Sequence, residues 1–490
     1  MAETTITPRA KDYNEWYLDV IAAAELSDYS PVKGCLVLRP HGYAVWDLMR
    51  GELDQRFRDT GHVNAYFPLL IPMSFLSKEA EHVEGFAKEC AVVTHHRLRA
   101  VPGGTGVEPD PAAKLEEPLV IRPTSETIIW HMYGKWIQSH RDLPILINQW
   151  ANVVRWEMKT RPFLRTTEFL WQEGHTAHAS SQEAVEETQK MLRVYEDFAV
   201  NVMATPVIPG IKSASERFAG AVETMCIEAM MQNGWALQAG TSHFLGQNFA
   251  KAFDVSFTSD AGVREHVWAT SWGVSTRLVG ALIMTHSDDT GLILPPALAP
   301  IQVVITPIWK GESEKEGAIA YADKVAAALK PLRVKVDTRD SLKPGAKYFE
   351  WERKGVPLRL EIGPRDMAQN SVFAAPRTGG GKFGIPVDEN LKSTVEAKLA
   401  EIQATLYQRA CERLAARTFR VDTYAEFKER IEEGGFFLVN WCDDAANEAT
   451  IKEETKATIR CYPLDGQTPT GTCFFSGRPA THVALFARAY

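Results

Sequence analysis

The sequence is short of cysteine, of long apolar runs and of excess positive charge, and each shortage removes a class of protein. Its seven cysteines, Cys35, Cys90, Cys226, Cys411, Cys442, Cys461 and Cys473, are scattered and odd in number. That excludes a disulfide framework and implies a reducing compartment. No stretch approaches the ~20 consecutive apolar residues of a membrane span. The opening MAETTITPRAKDYNEWYLDV has no apolar core long enough for a secretory signal. The expectation is a cytoplasmic protein with no membrane association. The formal net charge of −8 excludes indiscriminate coating of nucleic acid, which needs a strongly basic surface, but leaves room for a local basic groove. No P-loop pattern occurs, so that nucleotide site loses support.

What is present is a chain of 490 residues, 45% apolar and 24% charged, enough for two or three globular domains. In HGYAVWDLMRGELDQRFRDT, Val45, Leu48, Met49, Leu53 and Phe57 recur at helical spacing, and Gly61 ends the helix. VNAYFPLLIP then reads as a strand leading to Pro68 and Pro72. PGGTGVEPDPAAKLEEP reads as a surface loop. SQEAVEETQKMLRVYEDFAVNV reads as an amphipathic helix capped by Ser180 or Ser181. Near residue 290 the texture changes, and TGLILPPALAP reads as a Pro-rich linker. Beyond it IQVVITPI, LRVKVDT and LRLEIGP alternate with helical segments around 315–330 and 344–354, as in an α/β domain. A helix over KSTVEAKLAEIQATLYQRACERLAAR leads into a third unit.

One stretch raises a chemical question. RWEMKTRPFLRTTEF, residues 155–169, carries Arg155 and Glu157, a short basic loop, then Arg165 and Phe169. On two adjacent strands the period of two places each pair on one face. Two guanidiniums, a carboxylate and an aromatic ring on one surface suit a polyphosphate with a flat base. An exposed hairpin of mixed charge reads equally well.

Two further segments favour the first reading. TGHVNAYFPLL approaches a strand after an amphipathic helix, and SWGVSTRLVGALI runs from a Gly-containing strand end into a helix bearing Arg277. With the Arg-x-Glu, loop, Arg-x-x-x-Phe stretch between them, they resemble motifs 1, 2 and 3 of the class II aminoacyl-tRNA synthetases, in that order. The resemblance implies an α+β catalytic domain, an antiparallel sheet flanked by helices, over residues 1–290. An α/β anticodon-binding domain over 291–400 and a small C-terminal α/β domain over 401–490 follow. It also implies a homodimer built on motif 1.

The implied chemistry suits these residue types. Activation joins an amino-acid carboxylate to the α-phosphorus of ATP, so two anions must meet. Arg155 bridges them, its planar fork making the bidentate contact a lysine lacks. Arg165 holds the outer phosphates with Thr166 beside it, and Phe169 and Arg277 sandwich the adenine. Glu157 accepts from the adenine amino group or touches the tRNA end. Arg155 and Arg277 are the catalytic pair, and Mg²⁺ enters with the ATP phosphates.

RPTSET, LWQEGHTAH, WALQAGTSHFLGQNFAKAFDV and the ending HVALFARAY resemble the prolyl-tRNA synthetases, in the archaeal/eukaryotic-like form that some bacteria carry. The resemblance covers essentially the whole chain. It implies that Thr124 and Glu126 bind the secondary amine of L-proline, whose ammonium has two N–H donors for a hydroxyl and a carboxylate. Trp171, Glu173 and His243 line or support that pocket, and Gln238, Thr241 and Ser275 join the ATP and Mg²⁺ contacts. In LRLEIGPRD, Glu361 and Arg365 read guanine edges of the tRNA(Pro) anticodon. Tyr490 tucks towards the active site. Relatives that bind zinc in the C-terminal domain use four cysteines. Here Cys442, Asn447, Cys473 and Ser476 stand at those positions, and zinc is not expected. Two alternatives stay open: a sister class II enzyme of threonyl type, and a synthetase-like RNA-binding protein without catalysis.

Overall fold

The computed structural model describes residues 5–77 and 89–490. Seven strands form the catalytic sheet: β1 (Val63–Asn64), β2 (Ile145–Val154), β3 (Glu168–His178), β4 (Val207–Ile211), β5 (Glu223–Met230), β6 (Ala236–Gly246) and β7 (Trp268–Ser275). They lie in the order β4-β5-β6-β7-β3-β2-β1. All pairs are antiparallel except the last, where β1 runs parallel to β2. The expected antiparallel sheet is therefore mixed at one edge. The helix Ser181–Asp197 packs on β6 and β7, burying Met191, Leu192 and Tyr195. The Ser180 hydroxyl caps it, accepting from Glu183 N at 3.2 Å.

The helix expected over 41–60 spans Pro40–Asp59 and buries Val45, Met49, Leu53 and Phe57, while Leu48 is only half-buried. Gly61 ends it at φ 88°, a left-handed conformation glycine adopts freely. VNAYFPLLIP is not one strand. It breaks into β1 and Leu70–Pro72, because Pro68 has no N–H for a ladder. Phe67 N instead donates to the Gln149 side chain at 2.5 Å. The loop expected over 102–118 contains the strand Val107–Pro109 and the start of Lys114–Ile121.

Residues 291–300 are not an exposed linker. Leu292, Leu294, Leu298 and Ala299 sit in the catalytic core, while Ile293 enters the core of the next unit. That unit has strands in the order Val334–Val336, Val303–Pro307, Leu358–Ile362, Ser371–Pro376, Phe383–Pro386. The first three are parallel, with crossover helices Glu312–Ala328 and Pro344–Arg353, and the last two are antiparallel. The helix Leu391–Ala416 connects it to the C-terminal unit.

The C-terminal strands do not form a separate sheet. Thr458–Pro463 pairs antiparallel with β4 through Gly210↔Pro463 and Ile211↔Tyr462, which extends the catalytic sheet to eleven strands. A Cβ at Gly210 would lie 2.4 Å from Cys461 Sγ, so this approach needs glycine. An ion cluster crosses the seam: Lys212 Nζ and Arg460 Nε reach Glu228 at 2.8 and 3.0 Å, all three buried.

Candidate active site

Period-two alternation builds one wall of the site. Phe169, Trp171, Glu173 and His175 share a face of β3 and line a cavity of about 360 Å³. On β7 the matching row is Ser271, Gly273 and Ser275, opposite His175, Glu173 and Trp171. On β6, Thr241 and His243 face Gly273 and Ser271. Gln238 has the opposite parity to Thr241, yet both line the cavity. The register passes from Ile227↔Gly240 to Glu228↔Gln238. Ala239 is thus an extra residue, and this bulge restores Gln238 to the cavity face. At Gly273 a Cβ would lie 3.0 Å from Gln172 O, so a larger side chain would need the β3 backbone to give.

Thr124 and Glu126 lie where the helix Glu126–Trp136 begins, and the threonine hydroxyl donates to the Glu126 carboxylate. Glu173 is buried, and one of its oxygens accepts from Ser125 Oγ at 2.5 Å and Gln149 Nε2 at 2.8 Å. Its other oxygen lies 2.9 Å from His175 Nε2. Burial alone would lower the His175 pKa, but the Glu173 hydrogen bond and charge outweigh it and raise it. Glu173 is held below the ordinary carboxyl range by the same pairing, against its burial. His243 goes the other way. Burial, with His175 nearby, pushes it down to about 3.

Two guanidiniums meet the cavity. Arg155 Nε donates to Pro123 O at 2.9 Å, and its head lies over the Phe169 and Trp171 rings at 5.6 and 5.4 Å. Burial lowers its pKa, and Glu126 and Glu173 oppose that shift. Arg277 opens the helix Arg277–His286, and its Nε donates to Leu164 O at 3.3 Å. Burial, then the charges of Arg155, Arg460 and Arg165, bring it down to about 10. Among the described residues no carboxylate forms an ion pair with Arg277. A cavity lined by these two half-buried guanidiniums favours an anionic ligand.

Of the candidates, Thr124, Glu126, Arg155, Phe169, Trp171, Glu173, Gln238, Thr241, His243, Ser275 and Arg277 all line this cavity. Glu157, Arg165 and Thr166 do not. β2 ends at Val154 and β3 begins at Glu168, so neither the Arg155/Glu157 pair nor the Arg165/Phe169 pair shares a strand face. The intervening loop turns Arg155 into the cavity and leaves Glu157 accepting from Arg165 Nε at 2.7 Å. Thr166 is buried and Arg165 exposed. Glu361, on Leu358–Ile362, is occupied by Arg359 at 3.1 Å and Lys382 at 2.8 Å, while Arg365 is exposed on the short helix Pro364–Ala368. The Tyr490 ring packs 5.2 Å from Trp235 with Arg161 4.9 Å above it, beside the loop between β2 and β3.

The sequence reading missed His175, Ser271, Glu216, Phe218 and Thr224, which also line the cavity. Continuing the alternation from Trp171 through Glu173 would have found His175. Nothing local marks Glu216 and Phe218. Their segment is held from outside, where Lys452 Nζ lies 3.2 Å from Glu216 and Ser213 donates to Glu448 at 3.0 Å.

At the four C-terminal positions compared above with zinc-binding relatives, Cys442 Sγ lies 3.4 Å from Ser476 Oγ and accepts from Asn447 Nδ2 at 3.9 Å and, from outside the four, Arg478 Nη2 at 3.4 Å. An amide, a hydroxyl and a guanidinium do not fit a closed zinc tetrad, which needs four Cys or His donors.

A mixed sheet carrying a cation-rich, carboxylate-lined cavity, with strands flanked by helices, is the core of a class II aminoacyl-tRNA synthetase. Residues 110–286 match the tRNA synthetase class II core domain (G, H, P, S and T). Residues 302–398 match an anticodon binding domain, and 424–490 match the prolyl-tRNA synthetase C-terminal domain. The proline--tRNA ligase of Porphyromonas gingivalis is 58% identical over 487 residues, 99% of each chain. That of Cytophaga hutchinsonii is 58% identical over 485 residues, 98% of this chain and 99% of the relative. The solved prolyl-tRNA synthetase of Cryptosporidium parvum complexed with L-proline and AMP superposes with a TM-score of 0.90 at 38% identity, covering 100% of this chain and 98% of that one. The same protein with halofuginone and AMPPNP gives 0.91 at 39%, with the same coverage. The chain belongs to the prolyl-tRNA synthetase family, and it is an enzyme, a ligase.

Proposed function

We propose that this cavity binds L-proline and ATP together, forms prolyl-adenylate and passes the prolyl group to tRNA(Pro). The observation that carries this is the set of Thr124, Glu126, Glu173 and Arg155 around one end of one cavity. A hydroxyl and carboxylates suit the two N–H donors of a secondary ammonium, and the guanidinium suits the carboxylate. The carboxylate oxygen attacks the α-phosphorus and pyrophosphate leaves. A terminal ribose hydroxyl of the tRNA then attacks the acyl carbon, and AMP leaves. Catalysis is by position and charge, with no protein nucleophile. Arg155 bridges carboxylate and α-phosphate, and Arg277 and Phe169 hold the adenine. Gln238, Thr241 and Ser275 contact ATP and the Mg²⁺ it brings as part of the substrate. Arg165, Thr166 and Glu157 act from the loop, Arg165 on the outer phosphates once released from Glu157. Trp171 and His243 complete the amino-acid end.

ATP–pyrophosphate exchange with each amino acid tests this reading. Proline should drive exchange at the lowest concentration. Stronger exchange with threonine would overturn it. Alanine should also be activated, because a cavity that admits proline cannot exclude a smaller side chain. Each missing methylene costs only about 1–3 kcal/mol. Between Phe169 and Gly273 the chain is used by the sheet, the helix Ser181–Asp197, the short helix Asn248–Ala252, a small hairpin of Ser256–Thr258 and Arg264–His266, and short connections. We therefore expect no hydrolysis of preformed alanyl-tRNA beyond the buffer rate, and rapid deacylation would contradict this.

Two wider proposals follow from the same family. Glu361 and Arg365 face the anticodon, so Arg365→Ala should raise the tRNA KM and leave pyrophosphate exchange unchanged. Equal loss in both assays would exclude that role. The helix Pro40–Asp59 and β1, with Tyr43, Val63 and Tyr66 exposed, form a two-fold interface. Light scattering at micromolar concentration should give a dimer mass, and a monomer mass would refute it. The few, scattered cysteines support a reducing, cytoplasmic site of action, and no described helix is long and apolar enough to cross a membrane.

A further inference from the structure

We propose that Thr224 is a positioning residue for the amino-acid end of the cavity, its hydroxyl fixing His243 as the Nε2–H tautomer and pinning Phe218 beside it. Thr224 lies on β5 and is buried. A threonine hydroxyl has one proton to give and two lone pairs to fill. Here Oγ1 accepts from Phe218 N at 3.1 Å, and His243 Nδ1 lies 2.9 Å away. Among the described residues this nitrogen is the one acceptor within reach of the hydroxyl proton, and a buried hydroxyl that gave its proton to nothing would be costly.

Donation from Thr224 makes Nδ1 the acceptor, and the ring proton must then sit on Nε2. The imidazolium is ruled out on the same ground, since both its nitrogens donate. Burial, with His175 acting in the same direction, also keeps this ring neutral at ordinary pH. The Phe218 ring lies against His243 at 4.7 Å between centroids and 33° between planes. Both rings line the cavity. One hydroxyl therefore sets the hydrogen-bonding character of one wall residue and the position of its neighbour. The substrate it serves is the small, ring-shaped amino acid of the proposed function, on which this inference rests.

Thr224→Val keeps the branched shape and removes the hydroxyl, while Thr224→Ser keeps the hydroxyl. In pyrophosphate exchange the Val variant should raise the proline KM about tenfold, the size of one lost hydrogen bond. Its ATP KM and its kcat at saturating proline should stay within about twofold, and Ser should stay close to the parent. Histidine ¹⁵N spectra of the full chain, assigned with a His243→Gln variant, should show the Nε2–H tautomer in the parent and in Ser, and its loss in Val. An unchanged proline KM in the folded Val variant would overturn the proposal. So would an Nδ1–H or doubly protonated His243 in the parent, which decides the matter even if the Val variant does not fold. A parent that does not exchange with proline at all would instead sink the amino-acid reading, and the spectra would still judge the Thr224–His243 contact.

Discussion

Arg155→Ala is expected to lower the rate of proline-dependent pyrophosphate exchange by about 10³-fold, with a smaller change in ATP affinity. The reason lies in where the charge sits. Arg155 is half-buried, with its head over Phe169 and Trp171 and its Nε fixed on Pro123 O. Its guanidinium is thus held in place at the cavity before any substrate arrives. As the carboxylate closes on the α-phosphorus, two anions are forced together, and a guanidinium between them stabilises that arrangement more than either substrate alone. An interaction that strengthens towards the transition state shows in kcat rather than KM. Arg155→Lys should recover little, because an ammonium lacks the fork geometry. Exchange within tenfold of the parent in a folded Arg155→Ala protein would remove this residue from the reaction.

The largest effect on stability is expected at Glu228. Glu228→Ala would leave Lys212 and Arg460 buried beside each other without their shared carboxylate. Breaking a buried pair in this way costs about 3–5 kcal/mol. It should appear as a clear fall in the thermal midpoint, and a midpoint within about 1 °C of the parent would contradict it. The pH dependence has a definite sign. Burial would raise the Glu228 pKa, but Arg460 and Lys212 outweigh it and bring it below its ordinary value. The cluster's contribution is therefore complete above the pKa of glutamate in the unfolded chain. It is lost as pH falls through the lower, folded value. The parent should lose stability in acid, and the variant should show less of that loss.

Much of the site was legible through the resemblance of whole segments, and strand alternation explains why their residues converge. Once LWQEGHTAH is taken as a strand, Trp171 and Glu173 must share a face, and the structure adds only His175 to the row. Arg277 was legible through the resemblance of SWGVSTRLVGALI to motif 3, and the structure puts it at the first position of the helix Arg277–His286. Glu157 was misplaced because the sequence does not mark Val154 as the last paired residue. One step beyond a strand end, parity no longer decides direction. Gln238 and Thr241 have opposite parity, and only the bulge at Ala239 puts both on the cavity face. No residue type announces that bulge. Glu216 and Phe218 were invisible because their segment is held by Lys452, Glu448 and Thr224, contacts set by tertiary packing. The stretch 291–300 was misread for a related reason. Its prolines suggest a tether, whereas its leucines are buried in the catalytic core.

The pairing of Thr458–Pro463 with β4 has a consequence for how the chain can fail. Strands with open hydrogen-bonding edges recruit other strands, from the same molecule or another. Here the C-terminal unit occupies the free side of β4, with Pro463 opposite Gly210 and so no N–H of its own to offer at that position. Loss of this unit, by a nick in the helix Leu391–Ala416 or an early stop, would uncover the edge of β4 at Gly210 and Ile211 and the side of Ile208 that packs on the C-terminal unit. The damaged protein would then be not merely less active but adhesive, able to poison intact copies by edge-to-edge addition. In that sense the C-terminal unit is a guard against self-association as well as a part of the synthetase.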